Sequence, residues 1–150
     1  MPRLFGVADF RDTGKLEELA DITGSNLSAA AGAEAETKTA SAAGVILGLV
    51  TDRQPYQGDI ITSEDGSCSL AYTGFIPSTG QLRFKYDIPA GAGTGHLILA
   101  LYRKLGEKFL GEIPGMFSVA LHDRAKDLLL IAGDRSGAFP LYYYIGGGEF

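Results

Sequence analysis

The sequence predicts one α+β domain, and three observations carry that expectation. Residues Met116–His122 alternate, with Phe117, Val119 and Leu121 on one side and Ser118, Ala120 and His122 on the other. That is the period of two expected of a half-covered strand. Short apolar runs are joined by polar turns of hairpin length, Ser63–Gly66 and Asp123–Asp127. Helical spacing stands out at only two places, Gly14–Thr23 and His96–Leu105. Strands tied mainly by hairpins, with few helices, form α+β domains.

Taken in order, Arg3–Phe10 reads as the first strand, with Leu4, Val7, Ala8 and Phe10 as its apolar content. Gly14–Thr23 reads as a short helix with Leu16, Leu19, Ala20 and Ile22 inward, Asp12 or Thr13 as N-cap and Gly24 as its stop. Ser25–Ala43 contains no aromatic residue and is interrupted by Gly32, so it is expected to be a surface loop. Val45–Val50 resumes as a strand, Asp52–Gly58 as a turn, and Asp59–Thr62 with Ser67–Tyr72 as a hairpin. Pro77–Gly80 reads as a turn and Gln81–Tyr86 as a further strand. Pro89–Gly95 is a glycine-rich connection; no Gly-Lys-Ser/Thr follows, as a phosphate loop would require. The helix after it carries Leu97, Leu101 and Leu105 at four-residue spacing, an amphipathic face. Leu128–Ala132 is apolar on both sides and is expected to lie centrally in a sheet, and Leu141–Ile145 reads as one more strand.

The 150 residues suffice for a core that buries about 70% of the extended chain's surface. A net charge of −5 without a basic cluster argues against nucleic acid as a partner. No apolar run reaches the length of a membrane helix, so no membrane partner is expected. Cys68 is the single cysteine, which excludes an internal disulfide and suits a reducing cytoplasm. Its parity with Leu70 and Tyr72 turns it toward a core. His96 and His122 lack a metal-ligand spacing, so no metal is expected. Asp134-Arg135 is the most suggestive polar pair: a contact for an anion or a partner, or a pair that satisfies its own turn.

The stretch GMFSVALHDRAKDLLLIAGDRSGAFPLYY, Gly115–Tyr143, resembles the glutaminase domain of the asparagine synthetase family, whose pattern is GMFAFALxDxxxxxLxLxRDxxGxxPLYY. The resemblance extends to HLILALYRKL at His96–Leu105, GEKFL at Gly106–Leu110, Arg53-Gln54-Pro55, TGFIPSTGQLR at Thr73–Arg83 and Leu4-Phe5-Gly6-Val7. It implies a class II, N-terminal-nucleophile (Ntn) amidotransferase fold, a four-layer αββα sandwich of antiparallel sheets. The family's next strand is expected just where the chain reaches Gly146–Phe150. The resemblance therefore implies a C-terminally truncated domain, a fragment of a longer protein.

The same resemblance locates a site that has lost its chemistry. The family's nucleophile is an N-terminal cysteine whose own α-amino group is the base; Pro2 stands there. Its arginine for the glutamine carboxylate falls at Leu47, its oxyanion-hole asparagine at Thr73, and the glutamate after the retained Gly74 at Phe75. The aspartate that grips the amino group falls at Thr94, with His96 for its glutamate neighbour, and the HRGPD element has no counterpart in Gly24–Gly44. Catalytic residues are thus expected to be none, and Leu47, Thr73, Gly74, Phe75 and Thr94 to be a vestigial pocket.

Two readings follow. In one, the chain is a non-catalytic domain packed on a C-terminal synthetase domain or an equivalent subunit, as in β-lactam synthetase or lasso-cyclase types, with a homodimer left open. Nothing here resembles the SGGxDS loop of such a synthetase, so ATP and magnesium are implied only for that other domain, and no cofactor for this chain. In the other, the chain is a stand-alone enzyme or small-metabolite-binding module that reuses the emptied pocket or the Pro2 amine.

Overall fold

The computed structural model describes residues 2–9, 15–32, 35–51, 57–91, 93–139 and 142. The described residues form two antiparallel sheets that pack face to face with helices on both outer sides, an α+β sandwich. The first sheet contains β1 (Arg3–Ala8), β2 (Glu36–Ala42) and β3 (Val45–Thr51) in the order β1-β3-β2. The second contains β4 (Gln57–Thr62), β5 (Cys68–Phe75), β6 (Met116–Asp123) and β7 (Leu128–Gly133) in sequence order.

Side-chain parity distributes the core into three layers. Leu47 and Val45 of β3 meet Ala71 of β5 and Ala120 of β6 between the sheets. Small residues on the second sheet's inner face allow the sheets this close approach. The opposite face of that sheet, with Leu70, Tyr72, Phe117, Val119 and Leu121, is covered by Leu97, Ile98 and Leu101 of α3 (Thr94–Leu105) and by Phe109 of the 3-10 turn Gly106–Gly111. The alternation read in Met116–His122 is therefore the alternation observed.

On the outer side of the first sheet lies α1 (Leu16–Ala31), with Leu16 and Ala20 against Phe5, Ile46 and Val50. This helix corrects three expectations. Leu19 and Ile22 are exposed and not inward, because the buried stripe runs through Leu16, Ala20 and Gly24. Gly24 does not stop it; Gly24 is buried within it, and a Cβ there would stand 3.1 Å from Phe5 Cζ. The Phe5 ring also occupies the space over Gly48, where a Cβ would come within 2.0 Å of it. Two glycines thus let one aromatic ring pack between helix and sheet, a gain that outweighs the propensity cost of a helical glycine. Ser25–Ala43 is accordingly no loop. It completes α1, turns at Gly32 (φ 107°) and forms β2, whose side chains are mostly exposed because β2 is an edge strand.

Two further expectations give way. Gln81–Tyr86 is not a strand but most of α2 (Thr79–Lys85), entered through Ser78 at φ 58°. Leu82 is buried while Phe84 is 93% exposed, the opposite fates that helical rotation gives to residues two apart. Leu128–Gly133 is not central: among the described residues β7 is the outer strand, half-buried, beside the central pair β5 and β6. Its apolar content is used on both faces all the same, Leu130 and Ala132 toward α3 and Leu129 toward the other sheet. The expected strand Leu141–Ile145 (save Tyr142), the element Arg53-Gln54-Pro55 and the helix caps Asp12 and Thr13 lie outside the described residues.

Candidate functional site

The positions singled out by resemblance lie at the ends of elements, Pro2 ahead of β1, Thr73–Phe75 at the end of β5 and Thr94 at the start of α3, with one exception. Pro2 is buried directly ahead of β1, and by strand parity it shares the inward side of Leu4 and Ala8. The next residue, Arg3, points the other way. Its guanidinium donates to the carbonyls of Leu27 (2.8 Å) and Ala30 (3.2 Å) in the last turn of α1, where a cation is favoured. This clamp and the pairing of Arg3 with Val50 fix where Pro2 lies relative to the end of β3.

Across the sandwich, Thr73 and Gly74 occupy the end of β5. Gly74 (φ 138°) is paired with Gln57 on one side and Phe117 on the other, and a Cβ there would stand 2.1 Å from the Met116 carbonyl oxygen. Only glycine fits so close a crossing of β5 and β6. Thr94, the first residue of α3, donates its hydroxyl to Gln57 Oε1 at 3.3 Å, so Gln57 links Thr94 to the Gly74 end of the sheet. Phe75 is 53% exposed at the last position of β5, opposite Met116, and lies on the surface instead of filling a pocket.

Leu47 is the exception. It pairs with Gly6 and Ala40 in the middle of the first sheet and is 2% exposed, embedded in the apolar layer with Ala71 and Ala120.

Polar chemistry at this end is sparse. Thr73 is 2% exposed, and its hydroxyl has no hydrogen-bonding partner among the described residues. Its neighbour across the β5–β6 pair, Ser118, is equally buried but donates to the Phe139 carbonyl at 2.7 Å. Tyr72 lies on the α3 side, where burial raises its phenol above the ordinary value. Cys68 is buried in the α3-facing core, as its parity with Leu70 predicts. His96 is exposed on α3, whereas His122 is buried on the inner face of β6, with its imidazole pushed below the ordinary value by burial and by the nearby Arg124. No cluster of three or more potential metal ligands occurs among the described residues.

Asp134 and Arg135 separate into two roles. Asp134 serves its own turn and the strand beside it: its carboxylate accepts from the amide of Ser136 (2.8 Å), from the Ser136 hydroxyl and from the Phe117 amide (3.1 Å). These hydrogen bonds hold its carboxyl down to about 2. Arg135 is exposed and makes no hydrogen bond or ion pair among the described residues. They border a groove of about 380 Å³ against the segment 110–115, which adjoins the Gly74–Phe75 end of β5 through Phe117 and Gly115.

Sequence reasoning did not find Gln57, Ser118 or this groove. Each is defined by strand register or by the approach of two loops. The one hint available, the Gly-Glu-Ile-Pro-Gly run at 111–115, signals a turn and no particular neighbour.

The glutamine amidotransferase domain family matches residues 31–150. The chain is 34% identical over 100 residues to a putative asparagine synthetase (glutamine-hydrolyzing) 2 of Methanocaldococcus jannaschii, covering 66% of this chain and 19% of that protein. It is 42% identical over 76 residues to asparagine synthetase B (glutamine-hydrolyzing) of Escherichia coli, covering 49% of this chain and 14% of that protein. With asparagine synthetase (glutamine-hydrolyzing) 2 of Bacillus subtilis it shares 33% identity over 100 residues, 65% of this chain and 13% of the other. The chain therefore spans less than a fifth of the length of the curated relatives it matches.

Proposed function

The chain belongs to the glutamine amidotransferase domain family, and from that premise we propose a member that keeps the scaffold without the glutaminase chemistry. Its role is to pack against an ATP-dependent, amide-forming synthetase domain or subunit in the cytoplasm. Pro2 is the observation that carries this reading. It leads into β1 at the place of an N-terminal cysteine, and proline offers no side chain that can attack an amide. Pro2 lies before the family match, so its assignment rests on Leu4-Phe5-Gly6-Val7 and on the pairing of β1 with β3.

The surroundings support the reading. A glutamine carboxylate brought to Leu47 would enter an apolar layer with no counter-ion, a strongly unfavourable burial. Thr94 presents a hydroxyl, already engaged with Gln57, where an ammonium would need a carboxylate. The synthetase partner is inferred from the relatives' names and from the much greater length of those proteins.

One observation favours a second reading, a site for a small metabolite: the buried Thr73 hydroxyl is left without a partner, as a polar group awaiting a ligand would be.

The test is glutamate release from glutamine by the Pro2→Cys variant after confirmed removal of Met1. The substitution restores a thiol and an α-amine together. It does not restore substrate positioning, worth about 7–11 kcal/mol of barrier, or a lost oxyanion donor, worth about 2.7–4 kcal/mol. No turnover above the uncatalysed blank is expected. Turnover within about tenfold of a glutamine-hydrolyzing relative's would refute the reading, since a single tenfold step corresponds to only about 1.4 kcal/mol.

A further inference from the structure

We propose that the groove between α1 and β2 receives an extended, basic peptide segment of a partner protein, which adds a strand to the open edge of the first sheet. The inference goes beyond the packing role proposed above and concerns a different face of the molecule. The groove measures about 450 Å³. Asp21, Gly24, Ser25 and Ser28 form its helix wall, and Thr37 and Thr39 its strand wall. It stays open because α1 directs its apolar side elsewhere: Leu16 and Ala20 pack with Phe5 of β1 and with Ile46 and Val50 of β3.

Two observations name the occupant, and the first is the sheet edge. A strand in an antiparallel pair turns the N–H and C=O of alternate residues toward its partner and those of the others away. β2 is paired with β3 on one side, and among the described residues no backbone group of another element bonds to residues 36–42. Such a row of outward donors and acceptors is satisfied along its length by another extended backbone. The second observation is charge. Asp21 is the charged residue of the lining; it is exposed, and its carboxylate has no hydrogen bond or ion pair among the described residues. Glu17 and Glu18 stand one turn earlier, and α1 contains no basic residue. Lys38, the cation of β2, lies by parity on the opposite face from Thr37 and Thr39, where its Nζ meets Asp59 at 3.4 Å. A lysine or arginine of the added strand therefore meets negative charge that nothing in the groove offsets.

The walls also have the shape for a strand. Side chains of an added strand alternate, so every second one points toward α1, and the glycine and serines of the helix wall leave room for it. At the floor, helix and strand already meet, since a Cβ at Gly24 would stand 3.5 Å from Thr37 Cγ2. β2 itself is held in register by β3 from Glu36 to Ala42, so binding has little left to order on this side.

The probe is an N-acetylated, C-amidated Val-Thr-Lys-Thr-Val pentapeptide, titrated into the labelled chain and followed by backbone amide shifts. Saturable shifts are expected at residues 21–29 and 36–42. Two N-methylated forms test the backbone pairing, one methylated at the threonine amides and one at the valine and lysine amides. The form whose methylated amides face β2 should lose at least about tenfold in affinity, and the other should keep it. Asp21→Lys, a change at an exposed residue, should weaken the lysine peptide about three- to fivefold and favour its Val-Thr-Glu-Thr-Val counterpart. The proposal is overturned by the absence of saturable shifts, by equal affinity of the two methylated forms, or by binding indifferent to Asp21→Lys. Putrescine that reproduces the shifts alone would also overturn it, because the groove would then be a plain cation site. So would protection of the 36–42 amides that rises with protein concentration, because a second copy of the chain would then occupy the edge.

Discussion

Thr73 and Ser118 provide an internal experiment on whether the end of the sandwich is an empty site. They face each other across β5 and β6, both 2% exposed, and differ in one respect: Ser118 donates a hydrogen bond, whereas Thr73 has no partner among the described residues. A buried hydroxyl without a partner carries a desolvation cost of about 1–3 kcal/mol. Replacing Thr73 by valine keeps the shape and removes that cost, so Thr73→Val should stabilise the fold by about 1–2 kcal/mol. Ser118→Ala, which discards the 2.7 Å bond to Phe139, should destabilise it by about 1 kcal/mol. For a domain of this size the valine variant would melt about 2–8 °C higher and the alanine variant about 2–4 °C lower. Denaturant unfolding with unchanged slope confirms that the native states, not the unfolded ones, were altered. A Thr73→Val variant destabilised by more than about 1 kcal/mol would refute the reasoning. The hydroxyl would then be engaged by a buried water or a small ligand, and the metabolite-site reading would take precedence.

Two other perturbations test the scaffold itself. Gly74→Ala forces a Cβ to within 2.1 Å of the Met116 carbonyl at φ 138°, so it should cost at least about 2 kcal/mol in a denaturant midpoint; an unchanged midpoint would mean that β5 and β6 cross less closely than described. His122 has an imidazole pushed below its ordinary 6.5 by burial, with Arg124 adding to that and Asp127 and Asp123 opposing it. The unfolded chain therefore takes up the proton first, and stability should fall as pH drops below about 6.5 and hold steady above it. His122→Leu should flatten that decline between pH 7 and 5, a window clear of Asp134 and Asp65, whose depressed carboxyls act only below about 4; an unaltered pH profile would exclude His122 as its source.

What was legible in the sequence, and what was not, divides along physical lines. β6 could be read because Phe117, Val119 and Leu121 all face one helix-covered side, so burial imprinted a strict alternation. α3 could be read for the same reason at helical spacing. β2 could not, because an exposed edge strand of Glu, Thr, Lys, Ser and Ala carries no apolar period, and its partner β3 supplies the specificity of pairing. The length of α1 was hidden by Gly24, whose role is to admit Phe5, a contact nineteen positions away along the chain. Leu128–Leu130 suggested a central strand because apolar residues on both faces look alike whether the strand is flanked on one edge or two. At the candidate site, Pro2 and Leu47 were visible as departures from the family's pattern of residue types, but Gln57 entered only through its register opposite Gly74.

The same division bears on the proposed non-catalytic reading, in which the scaffold persists without glutaminase chemistry. In β5 the alternate residues Cys68, Leu70 and Tyr72 build the core under α3, and Gly74 admits β6; all four are needed for the sheet to close. Thr73 lies between them on the other face and contributes no hydrogen bond to the fold. In β3, Ile46 and Val50 anchor α1, while Leu47 on the inner face gains more from the apolar layer than a buried arginine would without a bound carboxylate. On the proposed non-catalytic reading, packing alone favours leucine at that position and accommodates threonine at 73. The strand positions that face the helices and those that face the old pocket are thus under separate physical constraints.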